Sequence, residues 1–177
     1  MKRAVLVNGI PASGKSTVAR AISVAKNWPL LTLDTIKEAL FANLGTGDRD
    51  YNRLLGKASY QAMFSLIGDF SDHTTVVIDA WFGFQPVEIL QTHVAHAGLD
   101  QLVEVWCHAP GEVLGERYSI RLDQRHAGHL GAAYIPELIE LASRAKPLGS
   151  YPQLDVDTTQ PLDAASLMNW LNRNFIQ

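Results

Sequence analysis

Ala4-Val5-Leu6-Val7-Asn8-Gly9-Ile10-Pro11-Ala12-Ser13-Gly14-Lys15-Ser16-Thr17 decides the fold of this 177-residue chain. Four consecutive apolar residues predict a short strand buried on both faces, as in a parallel sheet covered by helices. The strand runs into Gly9–Ser16, a complete G-x-x-x-x-G-K-[ST] match. Downstream, Val18, Ala21, Ile22 and Ala25 repeat at i, i+3, i+4 and i+7, which predicts a helix with one apolar stripe. Strand, glycine-rich turn and helix in that order form a phosphate cradle. Successive N–H groups of the turn point at phosphate oxygens, and the helix N-terminus adds partial positive charge. Gly9, Pro11, Ala12, Ser13, Gly14, Lys15, Ser16 and Thr17 are the expected nucleotide contacts. Lys15 reaches the β- and γ-phosphates and the Ser16 hydroxyl binds Mg²⁺, so the cofactors are ATP and Mg²⁺. A ligand-free glycine turn is the alternative, and the strand and helix flanking the motif argue against it.

Outward from this turn, apolar strands alternate with amphipathic segments. Further strands are predicted at Leu30–Leu33, Thr75–Ile78, Leu102–Trp106 and Leu154–Val156. Between the second and third lies a helical region that breaks at Gly45-Thr46-Gly47 and resumes on Leu55, Ala58, Ala62 and Leu66. Pro86 suits the first turn of a helix carrying Val87, Leu90 and Val94, and another helix is expected from near Pro110 to about Gln124. Arg125–Gly131 has no apolar periodicity and reads as an exposed loop. Ile135, Leu138, Ile139 and Ala142 restore helical spacing, and Asp163 caps a last helix bearing Leu167 and Leu171. Five strands with crossover helices make an α/β three-layer sandwich, in one domain over residues 1–177.

Composition narrows the function classes. A net charge of −3 gives no electrostatic footprint for long nucleic acid or an anionic membrane. No apolar run approaches the length of a bilayer span, and the first one stops at Asn8-Gly9, too early for a signal peptide, which predicts a cytoplasmic protein. Cys107 is the one cysteine, sits in an apolar strand, and reads as core. A GTPase would show an Asn-Lys-x-Asp guanine-reading segment, which this sequence lacks. After the third strand, Asp79-Ala80 is neither the Asp-x-x-Gly of a switch nor the acidic pair of a ring-forming ATPase. A compact kinase plan remains.

With these residues in place, the chain resembles the small P-loop kinases grouped around chloramphenicol phosphotransferase, zeta-type toxins and the kinase domain of phage polynucleotide kinase. The resemblance implies a five-stranded parallel sheet of order 2-3-1-4-5, an acidic residue ending the second strand, an Asp ending the third, and an arginine-bearing lid. Asp34, Asp79 and the arginines Arg117, Arg121 and Arg125 stand at those places, with the lid around residues 117–134. Asp34 can orient an acceptor hydroxyl and take its proton, or cap the following helix; both roles fit one residue. Asp79 can hold Mg²⁺ through water, touch the acceptor, or bond the P-loop. The arginines recur every four residues, as one helical row over the phosphates or as a solvated face paired with Glu116 or Asp123. Arg121 and Arg125 are the catalytic candidates, and Arg117 is a nucleotide contact. His126 and His129 lack a third ligand and read as loop or substrate contacts without a metal.

Trp81-Phe82-Gly83-Phe84 follows the third strand and offers aromatic faces for a sugar or base, or a plug against the next helix. Arg49 and Arg53 lie between the second and third strands, where this plan places acceptor-binding helices; either can read an anion or stay solvated. Without a dense basic run, the aromatic loop favours a neutral acceptor. Asp34, Arg53, Asp79 and Trp81 form the expected substrate set. The predicted activity is transfer of the ATP γ-phosphate to a hydroxyl of a sugar, nucleoside or antibiotic, by a monomer or homodimer. Kinases of nucleotides, sugar nucleotides or polynucleotide ends, and a nucleotide-dependent regulator, are the alternatives.

Overall fold

The computed structural model describes residues 1–175. Five strands form one parallel sheet in the order β2-β3-β1-β4-β5: β1 (Lys2–Asn8), β2 (Leu30–Thr32), β3 (Thr75–Ala80), β4 (Leu99–His108) and β5 (Gln153–Asp157). Seven α-helices surround it: α1 (Lys15–Lys26), α2 (Leu33–Leu44), α3 (Arg49–Asp69), α4 (Val87–His96), α5 (Gly111–Ile120), α6 (Ile135–Arg144) and α7 (Ala164–Asn174).

The three layers follow from the two-residue period of strand side chains. Ala4 and Leu6 of β1 face Tyr60, Met63, Phe64 and Ile67 of α3, while Val5 and Val7 face Val18 and Ile22 of α1 and Leu167 and Leu171 of α7. β3 alternates likewise, with Val76, Ile78 and Ala80 on the α3 side and Val77 on the α1 side. A smaller cluster, centred on Leu114, Tyr118 and Leu138, joins α5 to α6. Cys107 is fully buried among the residues under α1 and α7.

Several boundaries differ from the sequence reading. α3 does not bury the Leu55–Ala58–Ala62–Leu66 row; Ala58 and Leu66 are exposed, and the core takes Tyr60, Met63, Phe64 and Ile67. Larger side chains remove more apolar area from water, so they win the inward face over alanines at comparable spacing. β4 extends beyond its apolar run at both ends because it pairs with β1 along that strand's whole length and with β5 near its exit. Leu33 opens α2 rather than ending β2.

Glu104 stands inside β4 with no exposed surface. Its carboxylate accepts from Asn8 Nδ2 at 2.7 Å and from the Leu148 amide at 3.0 Å. Burial pushes the carboxyl above its ordinary value of 4.5, while bonds from Asn8, Leu148 and Gly149 pull the other way. The folded state therefore holds this proton more tightly than the unfolded chain does. The associated stability is complete below the unfolded value and is lost as pH rises through the folded one. Glu104→Gln removes this titration. Its denaturation midpoint should rise relative to wild type as pH increases above the ordinary carboxyl value of 4.5; parallel curves for the two proteins would contradict the shift.

Candidate active site

The turn after β1 keeps its shape through close approach. A Cβ on Gly9 would fall 2.5 Å from the Cys107 carbonyl oxygen and strike the Ser13 hydroxyl. Gly14 precedes α1 in the left-handed region at φ 83°, and the Ser13 amide donates to the Ile10 carbonyl at 3.2 Å. No acidic side chain occupies the first turn of α1, so its N-terminus presents uncompensated positive polarity to the cleft. The Ser13 hydroxyl is buried without a hydrogen-bond partner among the described residues.

A cavity of about 640 Å³ opens along the carboxyl edge of β1, β2 and β3, the edge where open α/β sheets receive ligands. Lys15 and Ser16 form one wall, with Asp34, Asp79, Arg121 and Arg125 around it. Asp79, in β3, is buried, and its Oδ1 has no hydrogen-bond partner among the described residues. Desolvation raises its carboxyl pKa, while Lys15 and the Ser16 hydroxyl oppose that shift. An orphaned carboxylate oxygen beside a hydroxyl suits a hard cation that prefers oxygen donors. No group of three His, Cys, Asp or Glu forms a metal cluster among the described residues. The pair therefore fits an ion that completes its shell with water and phosphate oxygens, as Mg²⁺ does.

Asp34 is exposed in the first turn of α2 and accepts no hydrogen bond among the described residues. The cap of this helix is Thr32, whose hydroxyl accepts from the Thr35 amide at 3.3 Å. Capping falls to the residue before the helix, two positions upstream of Asp34, because that hydroxyl reaches the unsatisfied amide. The Asp34 carboxylate is left facing the cleft.

The three arginines do not form one helical row. α5 ends at Ile120, Arg121 is its cap, a 3₁₀ turn covers Leu122–Gln124, and Arg125 is extended. The chain turns back here because the Tyr118 hydroxyl donates to the Leu130 carbonyl at 2.5 Å. Arg121 and Arg125 line the cavity, and Arg125 lies over the Tyr118 ring at 4.7 Å from its centroid. Arg117 points elsewhere. Its guanidinium donates to Thr158 Oγ1 at 2.9 Å and to the Thr158 carbonyl at 2.7 Å, and Thr158 packs against Gly14.

The segment after Arg125 is docked rather than exposed. Phe41 of α2 stacks on His126 at 5.2 Å between ring centroids and meets His129 edge-on at 5.7 Å. His129 Nε2 lies 2.8 Å from Glu38 Oε1, and Asn52 of α3 donates to the Gly128 carbonyl. A Cβ on Gly128 would fall 2.5 Å from the Phe41 ring. Sequence periodicity cannot report this docking, because a loop held by another element's aromatic ring carries no repeat of its own.

The aromatic turn splits its duties. Phe82 is buried in the core, while Trp81 and Phe84 line the cavity with their rings 6.4 Å apart. Tyr60 stacks on Phe84 at 6.2 Å and donates its hydroxyl to the Trp81 carbonyl. Arg53 lines the cavity and pairs with Asp50 at 3.3 Å; Arg49 pairs with Glu137 of α6. Lys37, Asn52 and Tyr60 also line the cavity and were not among the sequence candidates. Asp34 and Lys37 are three apart on α2, so their shared face was visible in the spacing.

A family model described as an AAA domain matches residues 5–135. No curated protein matches the sequence. Among solved structures, a candidate kinase from Chloroflexus aurantiacus J-10-fl is similar with a TM-score of 0.83 and 27% identity, covering 99% of this chain and 99% of that one. A sugar kinase from Janibacter sp. HTCC2649 gives a TM-score of 0.64 at 16% identity, covering 97% and 95%. A gluconokinase from Sinorhizobium meliloti 1021 gives 0.58 at 21% identity, covering 97% and 90%. The last two share this P-loop kinase fold.

Docking of the 126–130 segment is testable without any ligand. Phe41→Ala removes the ring between His126 and His129 and should lower stability by about 3 kcal/mol. Trypsin should then cut after Arg125 faster than in wild type. Unchanged stability and cleavage would contradict the docking role.

Proposed function

The chain belongs to the AAA domain family, whose model matches residues 5–135, and from that premise we propose that it is a phosphotransferase moving the ATP γ-phosphate to a hydroxyl of a small molecule. One observation carries this reading. One cleft holds the P-loop lysine and serine on one wall and, in Asp34, a carboxylate with no hydrogen-bond partner among the described residues. A hydrolytic switch needs a positioned water; a transferase needs a second carboxylate-served pocket, and the space beside Asp34 is lined by Trp81, Phe84 and Tyr60.

In this reading the P-loop amides and Lys15 hold the β- and γ-phosphates in line with the acceptor. Arg117, engaged with Thr158 behind Gly14, lies on the nucleotide side. Ser16 and Asp79 would hold Mg²⁺, which when bound would offset negative charge on the nucleotide phosphates. Asp34 orients the acceptor hydroxyl and takes its proton as the new O–P bond forms. The bond from the γ-phosphorus to the bridging oxygen breaks, and ADP leaves. Arg121 and Arg125 offset the charge spread over the transferring group. Residues around 117–134 act as a lid, anchored at its far end through Phe41 and Glu38, that excludes water from the transfer.

Lys15→Ala should abolish acceptor-stimulated ADP release through loss of phosphate positioning. Asp34→Asn should leave ATP affinity close to wild type, read by calorimetry, and lower transfer by about 10²-fold or more. Full activity in Asp34→Asn would reduce that residue to a surface carboxylate and refute its role as base.

A further inference from the structure

The charge of the cleft opposes the charge of the chain. Its lining includes eight Lys or Arg and three carboxylates, in a protein of net charge −3. Arg49 is paired with Glu137 and Arg53 with Asp50. The other six have no carboxylate within ion-pair distance among the described residues, and only Asp34 and Asp79 stand against them. Lys15, Arg121 and Arg125 surround the place of the triphosphate tail. Lys37 and Lys57, on α2 and α3, lie on the acceptor side and are not accounted for by the nucleotide.

Lys37 is the informative one. Its ammonium is partly buried, donates to Asn52 Oδ1 at 2.6 Å, and sits 5.5 Å from the Phe41 ring centroid. A neutral amide and an aromatic face only partly replace the water an ammonium loses on burial. Desolvation accordingly lowers its pKa, with Asp34 opposing and Arg125 adding to the shift. A buried glycine of α3 packs beside it. Gly56 interrupts the 21-residue α3, where glycine costs a helix about 1 kcal/mol relative to alanine. A Cβ there would sit 3.8 Å from Lys37 Nζ and 3.6 Å from the Phe84 ring. A cation without a carboxylate partner among the described residues and an aromatic wall meet at one spot of the cavity.

We infer that the acceptor is a compact hydroxylated oxyanion, a carboxylate or a phosphate monoester, whose anionic group pairs with Lys37 while its reacting hydroxyl lies against Asp34. The inference rests on the phosphotransferase reading and deepens it. Asp34 and Lys37 are three residues apart on α2 and both line the one cavity, so a single small molecule can meet both. Trp81 and Phe84 cover the carbon skeleton between them. This acceptor differs from the neutral one expected from sequence, and what supports it is the gathering in space of basic residues scattered along the chain.

The test uses the full chain, ATP and Mg²⁺, with ADP release followed for matched acceptors: an aldose against its aldonate, and a polyol against its phosphate monoester. One anionic member should exceed its neutral partner at least tenfold in kcat/KM, and which one does so identifies carboxylate or phosphate as the recognised group. Lys37→Gln should erase that preference through KM, and Lys37→Arg should restore part of it. A preference for neutral members, or one that survives Lys37→Gln, overturns the inference. A second measurement needs no turnover. With a non-hydrolysable ATP analogue and Mg²⁺ bound, inorganic phosphate and acetate are titrated against tryptophan fluorescence. Saturable binding of either that weakens tenfold or more in Lys37→Gln supports the site. Tight analogue binding with no saturable anion binding overturns this inference alone, whereas failure of the analogue to bind overturns the phosphotransferase reading beneath it.

Discussion

Asn8 is the last residue of β1, and its side chain joins three parts of the site. Its amide nitrogen donates to the buried Glu104 of β4, and its amide oxygen accepts from the Phe82 backbone at 3.0 Å. Every one of these groups is out of water, so losing any one strands a polar partner at considerable cost. The bonds fix where β1 ends, hence where the P-loop begins, and they seat the Trp81–Phe84 turn beside it. Glu104 carries the same constraint onward to the Leu148 amide. A buried polar chain of this kind specifies one arrangement of three loops more sharply than apolar packing can.

Around that frame the site divides by charge and surface. In the proposed reading the nucleotide side is P-loop backbone, Lys15 and the Ser16 hydroxyl. The proposed acceptor side is a wall of aromatic rings facing the α2–α3 cations. Asp34 stands between them, relieved of capping by Thr32. A carboxylate with no local bond to break needs no rearrangement before it accepts a proton, which is a form of preorganisation.

The 126–130 segment adds a structural link between the two sides. Through Tyr118, Leu130, Gly128 and Phe41 it ties α5 to α2 and α3, two helices that line the cavity. Movement of either helix therefore bears on Arg121 and Arg125, which leave α5 at the same place. His129, lowered in pKa chiefly by burial, contacts Glu38 in this joint.

The sequence by itself determined the element order, the parallel three-layer plan, the P-loop and the place of Asp34 and Asp79 near the carboxyl edge of the sheet. These are local matters: apolar runs, turn chemistry and a contiguous motif carry them, and the sheet order came from the family resemblance built on that motif. Tertiary structure alone decided the face that α3 buries, the break of the arginine row after Ile120, and the docking of His126 and His129 on Phe41. It also decided the charge of the cleft. Lys37, Lys57 and Arg144 are dispersed along the chain and look like ordinary surface residues. Only the folding of α2, α3 and α6 around one cavity turns them into a field, because electrostatic potential adds by distance in space, not by position in sequence.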